Sequence, residues 1–210
     1  MAAGLAFRPL SLTYIINCNI MMNTLLLPTA YLAPVPYYAA LYRADEAYIE
    51  VWEHYVKQSV RNRCTIAGPD GPVSLSIPVV KAERPGQPIC ETRISDHGNW
   101  RHLHWRALQS AYGNSPFFEF YEDDFRPFYQ PDWEFLTDYN RDLLKLLLRL
   151  LDIEPKVRET DSFRAVPSLE FHHPSSRPYY QVFSARHGFI PNLSIVDLLF
   201  NMGPESVLYL

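Results

Sequence analysis

The chain has 210 residues, of which 48% are hydrophobic and 20% charged, and it carries a formal net charge of -4. This length suits one domain with a sizeable hydrophobic core, and the composition excludes a disordered or fibrous protein. The acidic balance argues against a nucleic-acid partner. The cysteines Cys18, Cys64 and Cys90 match no zinc or disulfide framework, which predicts a reducing, cytoplasmic location and no metal site.

The first 20 residues are predicted to be an upstream extension that is poorly ordered. The run "LSLTYIINCNIMMNTLLLP" is interrupted by Asn17, Asn19 and Asn23 and has no convincing cleavage site, so it does not fit an export signal. It is also shorter than the roughly 20 uninterrupted apolar residues of a membrane span. We therefore expect translation to begin at Met21 or Met22, and residues 21–210 to form a single domain.

The segment "NTLLLPTAYLAPVPYYAALYRADEAYIEV" predicts a strand at 25–27, a helix at 35–43 and a second strand at 47–52. This βαβ order is typical of an α/β fold, in which the loop after the first strand is a favoured ligand position. Residues 28–38 of that loop are expected to form one wall of a site, and Tyr31 to contact the ligand. The loop lacks a glycine-rich phosphate fingerprint, which argues against a dinucleotide, and we expect no cofactor.

The stretch "KQSVRNRCTIAGPDGPVSLSIPV" predicts a β-hairpin, because two runs with period-two alternation flank the turn residues "GPDGP". Alternation places Asn62 and Cys64 on one face and Arg61 and Arg63 on the other. Cys64 is therefore expected to pack inward, although nearby cations would favour a reactive thiolate if it were exposed.

Several later segments complete the predicted elements. "ICETRIS" indicates a strand, "NWRHLHWRALQSAYG" a helix ending at Gly113, "SPFFEFYEDDFRPFYQPDWEF" an aromatic connection, and "FLTDYNRDLLKLLLRLLDI" a central core helix. On the helix predicted for "NWRHLHWRALQSAYG", Leu103 and His104 should face inward and His102 outward. "KVRETDSF" adds a strand, and "IVDLLFN" a helix with Asp197 as a capping group. The fold class is α/β: a single domain with a small mixed sheet, a β-hairpin and surrounding helices.

Two histidines are candidates for a general base. His54 follows the second strand, and His187 lies with Tyr180 in "YYQVFSARHGF", a polar and aromatic loop. Sites are commonly assembled at strand ends and in loops. The buried-face residue His104 is more typical of a hydrogen-bonded core histidine.

The arginines of "RNR" have two interpretations. Arg61 and Arg63, with Lys57 before them, are suited to hold a diphosphate or carboxylate. Each arginine could equally form a salt bridge with a neighbouring carboxylate.

The order and spacing of four motifs resemble the WbqC-like protein family. These are "LLLPTAYLAPVPYYAAL", "KQSVRNRCTIAGPDGPVSLSIPV", "WRHLHWRALQSAYGNSPFFEFY" and "NLSIVDLLFNMGPES". The family takes its name from a gene of bacterial O-antigen clusters, so the resemblance implies a cytoplasmic role in synthesis of lipopolysaccharide or another surface polysaccharide. The "RNR" core is usual in the family, whereas a cysteine at the position of Cys64 is not, which favours the arginines and Asn62 as site residues.

The leading functional hypothesis is a transferase-type enzyme acting on a nucleotide- or lipid-linked amino sugar. Arg61, Arg63 and Lys57 would hold its anionic part, Asn62 would orient a polar group, and His54 or His187 would act as base. Tyr31 and Tyr180 would contact the substrate. The alternatives are a Cys64-dependent acyl or aminoacyl transferase and a non-catalytic assembly partner of a polysaccharide operon. The sequence does not indicate an oligomeric state.

Overall fold

The structure, a computed structural model, describes residues 23–167 and 177–210. The proposed extension at residues 1–20 and Cys18 lie outside these residues. Within them, one hydrophobic core unites the sheets and the helices.

A parallel sheet of three strands holds the predicted βαβ unit. The strands β1 (Thr24–Pro28) and β2 (Glu46–Glu50) pair in parallel, and the helix α1 (Val35–Arg43) connects them. The strand β5 (Lys156–Glu159) pairs in parallel with the other edge of β2. Leu27 lies opposite Ile49, and Ile49 lies opposite Glu159. The three carboxyl ends therefore meet at one edge of the sheet.

The predicted hairpin is confirmed as a separate antiparallel sheet. Its strands are β3 (Arg63–Gly68) and β4 (Gly71–Ser76), with Cys64 opposite Leu75. Cys64 is 5% exposed, which confirms that it packs inward. Gly71 has φ +118°, a conformation that favours glycine and allows the tight turn after Asp70.

The strand predicted for "ICETRIS" is wrong. Residues Ile89–Glu91 form a 3-10 turn, and Arg93 and Ile94 make only isolated bridges, to Phe135 and Val79. The reason is that successive backbone N–H groups find acceptors on different segments: Cys90 N bonds Val51 O, whereas Ile94 N bonds Glu134 O. Continuous pairing with one strand therefore does not develop.

Helices enclose the two sheets. They are α2 (Trp100–Tyr112), α3 (Phe118–Phe125), α4 (Leu136–Leu150), the short α5 (Ser184–His187) and α6 (Ile195–Met202), followed by a closing 3-10 segment, Gly203–Tyr209. The helix α3 was expected to be an irregular aromatic connection. Phe118 and Phe125, spaced by seven residues, share a face and both pack edge-on against Phe200.

No helix within 23–167 or 177–210 has the length and apolar character needed to cross a membrane.

One inward position of α2 was assigned wrongly. His104 is 5% exposed, as predicted, but Leu103 is 59% exposed. His102 and Arg106 face outward as expected. The buried face of α2 therefore includes Trp100, His104 and Leu108, and Leu103 lies outside it.

Asp197 is not a capping group. The Ser194 hydroxyl accepts from Val196 N at the start of α6, while the Asp197 carboxylate is fully buried. The carboxylate accepts hydrogen bonds from three buried side chains: Tyr112, Tyr179 and Gln181. Burial raises the pKa of Asp197, although these three hydrogen bonds oppose the shift. The residue thus joins α2 and α6 to the segment that precedes α5.

Candidate functional site

A pocket of about 290 Å³ lies where the parallel strands end. Thr29 and Ala30 follow β1, Ile49 lies near the end of β2, and Glu159 ends β5. The opposite wall is one face of α4. In open parallel sheets ligands bind outside the carboxyl ends of the strands, and this pocket occupies that position.

Apolar side chains form most of the pocket wall. Ile49 and Val157 come from the sheet, and Leu144 and Leu148 from α4. Tyr37 of α1 also lines it; its hydroxyl donates to Pro28 O at 3.0 Å, and burial raises its pKa. Small-molecule sites commonly combine such walls with a few polar groups.

The polar groups are buried side chains at the floor. Thr29, Thr137 and Asn140 are 3%, 5% and 2% exposed. The Asn140 Nδ2 group donates to Thr29 Oγ1 at 3.1 Å and to the backbone carbonyl of Arg61 at 2.8 Å. Asn140 Oδ1 has no hydrogen-bond partner among the described residues. The amide therefore ties α4 to two loops while its acceptor atom is unused.

Charged side chains of both signs surround the pocket. Arg141 pairs with Asp138 and Glu159, at 2.8 and 3.5 Å. Although burial favours its neutral form, these carboxylates raise the pKa of Arg141, so the guanidinium stays charged. Lys145 and Arg158 are also exposed lining residues, with side chains 66% and 67% exposed. Lys145 pairs with Asp142 at 3.0 Å, and Arg158 pairs with Glu46 at 3.5 Å.

A carboxylate beside this rim is ionised. Lys145 Nζ lies 3.0 Å from Asp142 Oδ1, and Trp133 Nε1 donates to the other carboxylate oxygen at 3.3 Å. Burial opposes ionisation, but these two hydrogen bonds and the charges of Lys145 and Arg141 lower the pKa of Asp142 overall. The rim thus holds fixed charges of both signs at neutral pH.

Arg61 lies behind the pocket floor and forms an ion pair. Its Nε donates to Glu53 Oε1 at 2.7 Å, and its terminal nitrogen bonds the other carboxylate oxygen, a bidentate arrangement. The two side chains are 13% and 11% exposed. The salt bridge considered from the sequence is therefore present at Arg61, and its guanidinium charge is compensated.

Arg63 and Lys57 are placed differently. Arg63 Nε donates to Ser76 Oγ at 2.9 Å, and neither cation pairs with a carboxylate in the described part of the chain. Burial raises the pKa of Tyr55, and the charge of Arg63 partly offsets this shift, which places the two side chains close together. Arg63 and Lys57 are thus available for a ligand at the base of the hairpin.

Asn62 holds the hairpin base together. Its Nδ2 donates to Ile77 O at 2.7 Å, and Ile77 N donates to the Asn62 carbonyl at 2.8 Å. The residue is 7% exposed, so its contacts in the structure are with the backbone of the hairpin.

The two candidate bases lie on different segments of the chain. His54 is exposed and forms an isolated bridge with Pro88, directly after Glu53. His187 is exposed in α5, with its Nε2 2.8 Å from Pro69 O in the hairpin turn, and Tyr180 is also exposed. Because β3 separates its two ends by roughly 17 Å, His187 and Arg63 do not share one pocket.

Tyr31 is buried in a cluster of aromatic rings. Its hydroxyl lies 2.9 Å from His104 Nδ1 and 3.3 Å from the Tyr129 hydroxyl. Burial lowers the pKa of His104 to about 4, opposed by a hydrogen bond to the Ser76 backbone, and burial raises the pKa of Tyr31. Both groups are therefore neutral at pH 7.

The residues of α4 were missed as site candidates. The sequence indicated a central core helix, yet Thr137, Arg141, Leu144 and Leu148 line the pocket along one face. Thr137 and Arg141 are polar and four residues apart, which places them on one face of the helix. This spacing was the available signal in the sequence. Among the described residues, His, Cys, Asp and Glu form no group of three able to hold a metal ion.

These features define an α/β protein with a concave pocket at the carboxyl edge of a parallel sheet. The chain belongs to the WbqC-like protein family, whose model matches residues 29–168 and 163–209. It is also similar to "Uncharacterized protein Rv1507c" of Mycobacterium tuberculosis, with 28% identity over 211 residues, which covers 83% of this chain and 91% of that protein. No solved structure matches the chain.

Proposed function

We propose that this protein is a cytoplasmic transferase-type enzyme that acts on a nucleotide- or lipid-linked amino sugar in surface polysaccharide synthesis. The observation that carries the proposal is a buried polar floor beneath a rim of paired charges, with Arg141, Lys145 and Arg158 as its cations, at the carboxyl edge of the sheet. The family membership supports the polysaccharide context through the origin of the family name.

The dimensions and chemistry of the pocket suit the sugar portion. Its volume of about 290 Å³ is at the lower end of small-molecule sites, roughly 300–1,000 Å³. Thr29, Thr137 and Asn140 offer hydroxyl and amide groups to the sugar, and the apolar walls exclude water. The phosphates would then lie across the rim, against Arg141, Lys145 and Arg158.

Among the residues predicted from the sequence, His54 is the general base that we retain. His54 directly follows Glu53, which pairs with Arg61. The backbone carbonyl of Arg61 in turn accepts a hydrogen bond from the pocket residue Asn140. Arg63 and Lys57 would provide a further anion site near it. His187 lies at the far end of the hairpin, where it would serve an acceptor rather than the reacting sugar, and the exposed Tyr180 would contact the same acceptor.

Acyl transfer by Cys64 has less support. The thiol is buried, and burial raises its pKa, so both its access and its ionisation are opposed. A non-catalytic assembly role would require no ligand, which makes ligand binding the deciding measurement.

The experiment compares two variants of α4 by calorimetric titration with UDP-N-acetylglucosamine. Lys145 and Arg149 are 66% and 67% exposed and each pairs with one aspartate, but only Lys145 lines the pocket. We expect Lys145→Glu to weaken binding by about tenfold or more through charge reversal, and Arg149→Glu to change it little. Absence of binding to the unmodified protein, or equal losses in both variants, would refute the proposal.

A further inference from the structure

A second cleft, of about 430 Å³, lies at the start of α2. Its walls are the first two turns of α2 and the segment around the 3-10 turn Arg126–Tyr129. It shares no lining residue with the pocket at the parallel sheet. Any ligand of this cleft is therefore bound independently of the function proposed above.

Aromatic rings form one side of this cleft. The rings of Trp105 and Tyr129 lie 5.4 Å apart with an interplanar angle of 37°. Trp100 is adjacent and only 3% exposed. Tyr129 is only 7% exposed and supports the half-buried Trp105, which offers an amphipathic ring surface to the cleft.

Positive groups form the other side. The Arg101 guanidinium lies 4.7 Å from the centre of the Trp100 ring and pairs with Asp96. Arg126 is exposed and pairs with no carboxylate in the described part of the chain. Two arginines against one aspartate give the cleft a positive balance, in a protein whose formal net charge is -4.

One buried donor of a cleft residue has no acceptor within residues 23–167 and 177–210. The buried indole Nε1 of Trp100 has no partner among the described residues. Asn99, the N-cap of the 13-residue helix α2, makes no side-chain cap. An anion near this end of α2 would interact favourably with the helix dipole.

We propose that this cleft binds a sugar that carries an anionic group, either a phosphate or a carboxylate. The sugar ring lies against Trp105, which Tyr129 supports from behind, while the anion is held by Arg126 and Arg101. The aromatic side chain contacts the sugar ring and the arginines contact the anionic group. A neutral sugar or inorganic phosphate makes only one of these two contacts, so each binds more weakly.

The test uses tryptophan fluorescence, because two tryptophans line the cleft. The full chain is titrated with glucose 1-phosphate, glucuronate, glucose and inorganic phosphate. We expect a saturable change with at least one of the two anionic sugars, and about tenfold weaker binding of glucose and of phosphate. Saturation by glucose 1-phosphate alone identifies the phosphate, and saturation by glucuronate alone identifies the carboxylate.

Three variants locate the binding. Arg126→Gln should weaken it by about tenfold, the loss of one charge-assisted contact. Arg106→Gln, an exposed arginine on α2 outside the cleft, and Lys145→Glu at the other pocket should leave it unchanged. The proposal is overturned if neither anionic sugar binds, if Arg126→Gln binds like the unmodified protein, or if Lys145→Glu abolishes the signal.

Discussion

The side-chain amide of Asn140 donates a hydrogen bond of 2.8 Å to the backbone carbonyl of Arg61, which joins the core helix α4 to the "RNR" turn. The same nitrogen donates to Thr29 in the loop after β1. Since Arg61 also pairs with Glu53, one connected polar chain supports the floor of the pocket. Buried networks of this kind depend on every member being satisfied.

Replacement of Asn140 by alanine is expected to destabilise the protein. The change removes two buried hydrogen bonds and should lower the free energy of unfolding by about 1–3 kcal/mol, measured by urea denaturation. The matched control is Asn114→Ala, at an exposed loop position, which should change stability by less than about 0.5 kcal/mol. Equal effects at the two positions would contradict the supporting role of Asn140.

Removal of one partner of the Arg61 and Glu53 pair should be costly. Because both side chains are nearly buried, Arg61→Met leaves an uncompensated carboxylate and should lower stability by about 3 kcal/mol. The double variant with Glu53→Gln should recover part of that loss. Arg93→Met, which breaks an exposed pair with Glu134, should cost less than about 1 kcal/mol. A small effect of Arg61→Met alone would show that the pair is not buried in solution.

Cys64 should resist alkylation in the native protein. Its burial and the resulting rise of its pKa leave little accessible thiolate, whereas Cys90 is half-buried and only its pKa opposes reaction. Peptide mapping after iodoacetamide treatment should therefore find Cys90 modified before Cys64, and both modified in denaturant. Early modification of Cys64 would instead support the hypothesis of Cys64-dependent acyl transfer.

His104 should make stability fall in mild acid. Burial lowers its pKa to about 4 in the folded chain, against about 6.5 when unfolded. Between these values the unfolded chain binds more protons, so the free energy of unfolding falls as pH drops from 6.5 to 4. The contribution approaches about 3 kcal/mol, from the pKa difference.

The control is His104→Gln, which does not titrate in this range. Its stability should fall less than that of the unmodified protein between pH 7 and pH 4, measured by denaturant unfolding at each pH. Parallel curves for the two proteins would show that His104 is not the titrating group.

Local chemistry determined those elements whose signals lie within a few residues. The helix α1 begins at Val35 and ends at Arg43, as expected from the prolines before it and the polar residues after it. The hairpin results from "GPDGP" between alternating runs, and the inward direction of Cys64 from its phase relative to Ile66. These features depend on backbone sterics and on period-two burial, which are properties of the chain itself.

Other features depend on contacts between distant segments. Leu103 is exposed although it belongs to the apolar sector of α2, and "ICETRIS" lacks a strand because its backbone partners lie on several segments. Asp197 matched a capping motif, but donors from Tyr112 and Tyr179 surround its carboxylate instead. No local pattern contains that information.

The sequence by itself determined the α/β class, the hairpin and the family resemblance, because each depends on short motifs and their order. Only the tertiary structure decided which polar residues meet. It pairs Arg61 with Glu53, leaves Arg63 without a described carboxylate, and brings Thr29 and Asn140 together across 111 positions. The physical reason is that a pocket forms between elements that pack against each other, so its residues are neighbours in space and not along the chain.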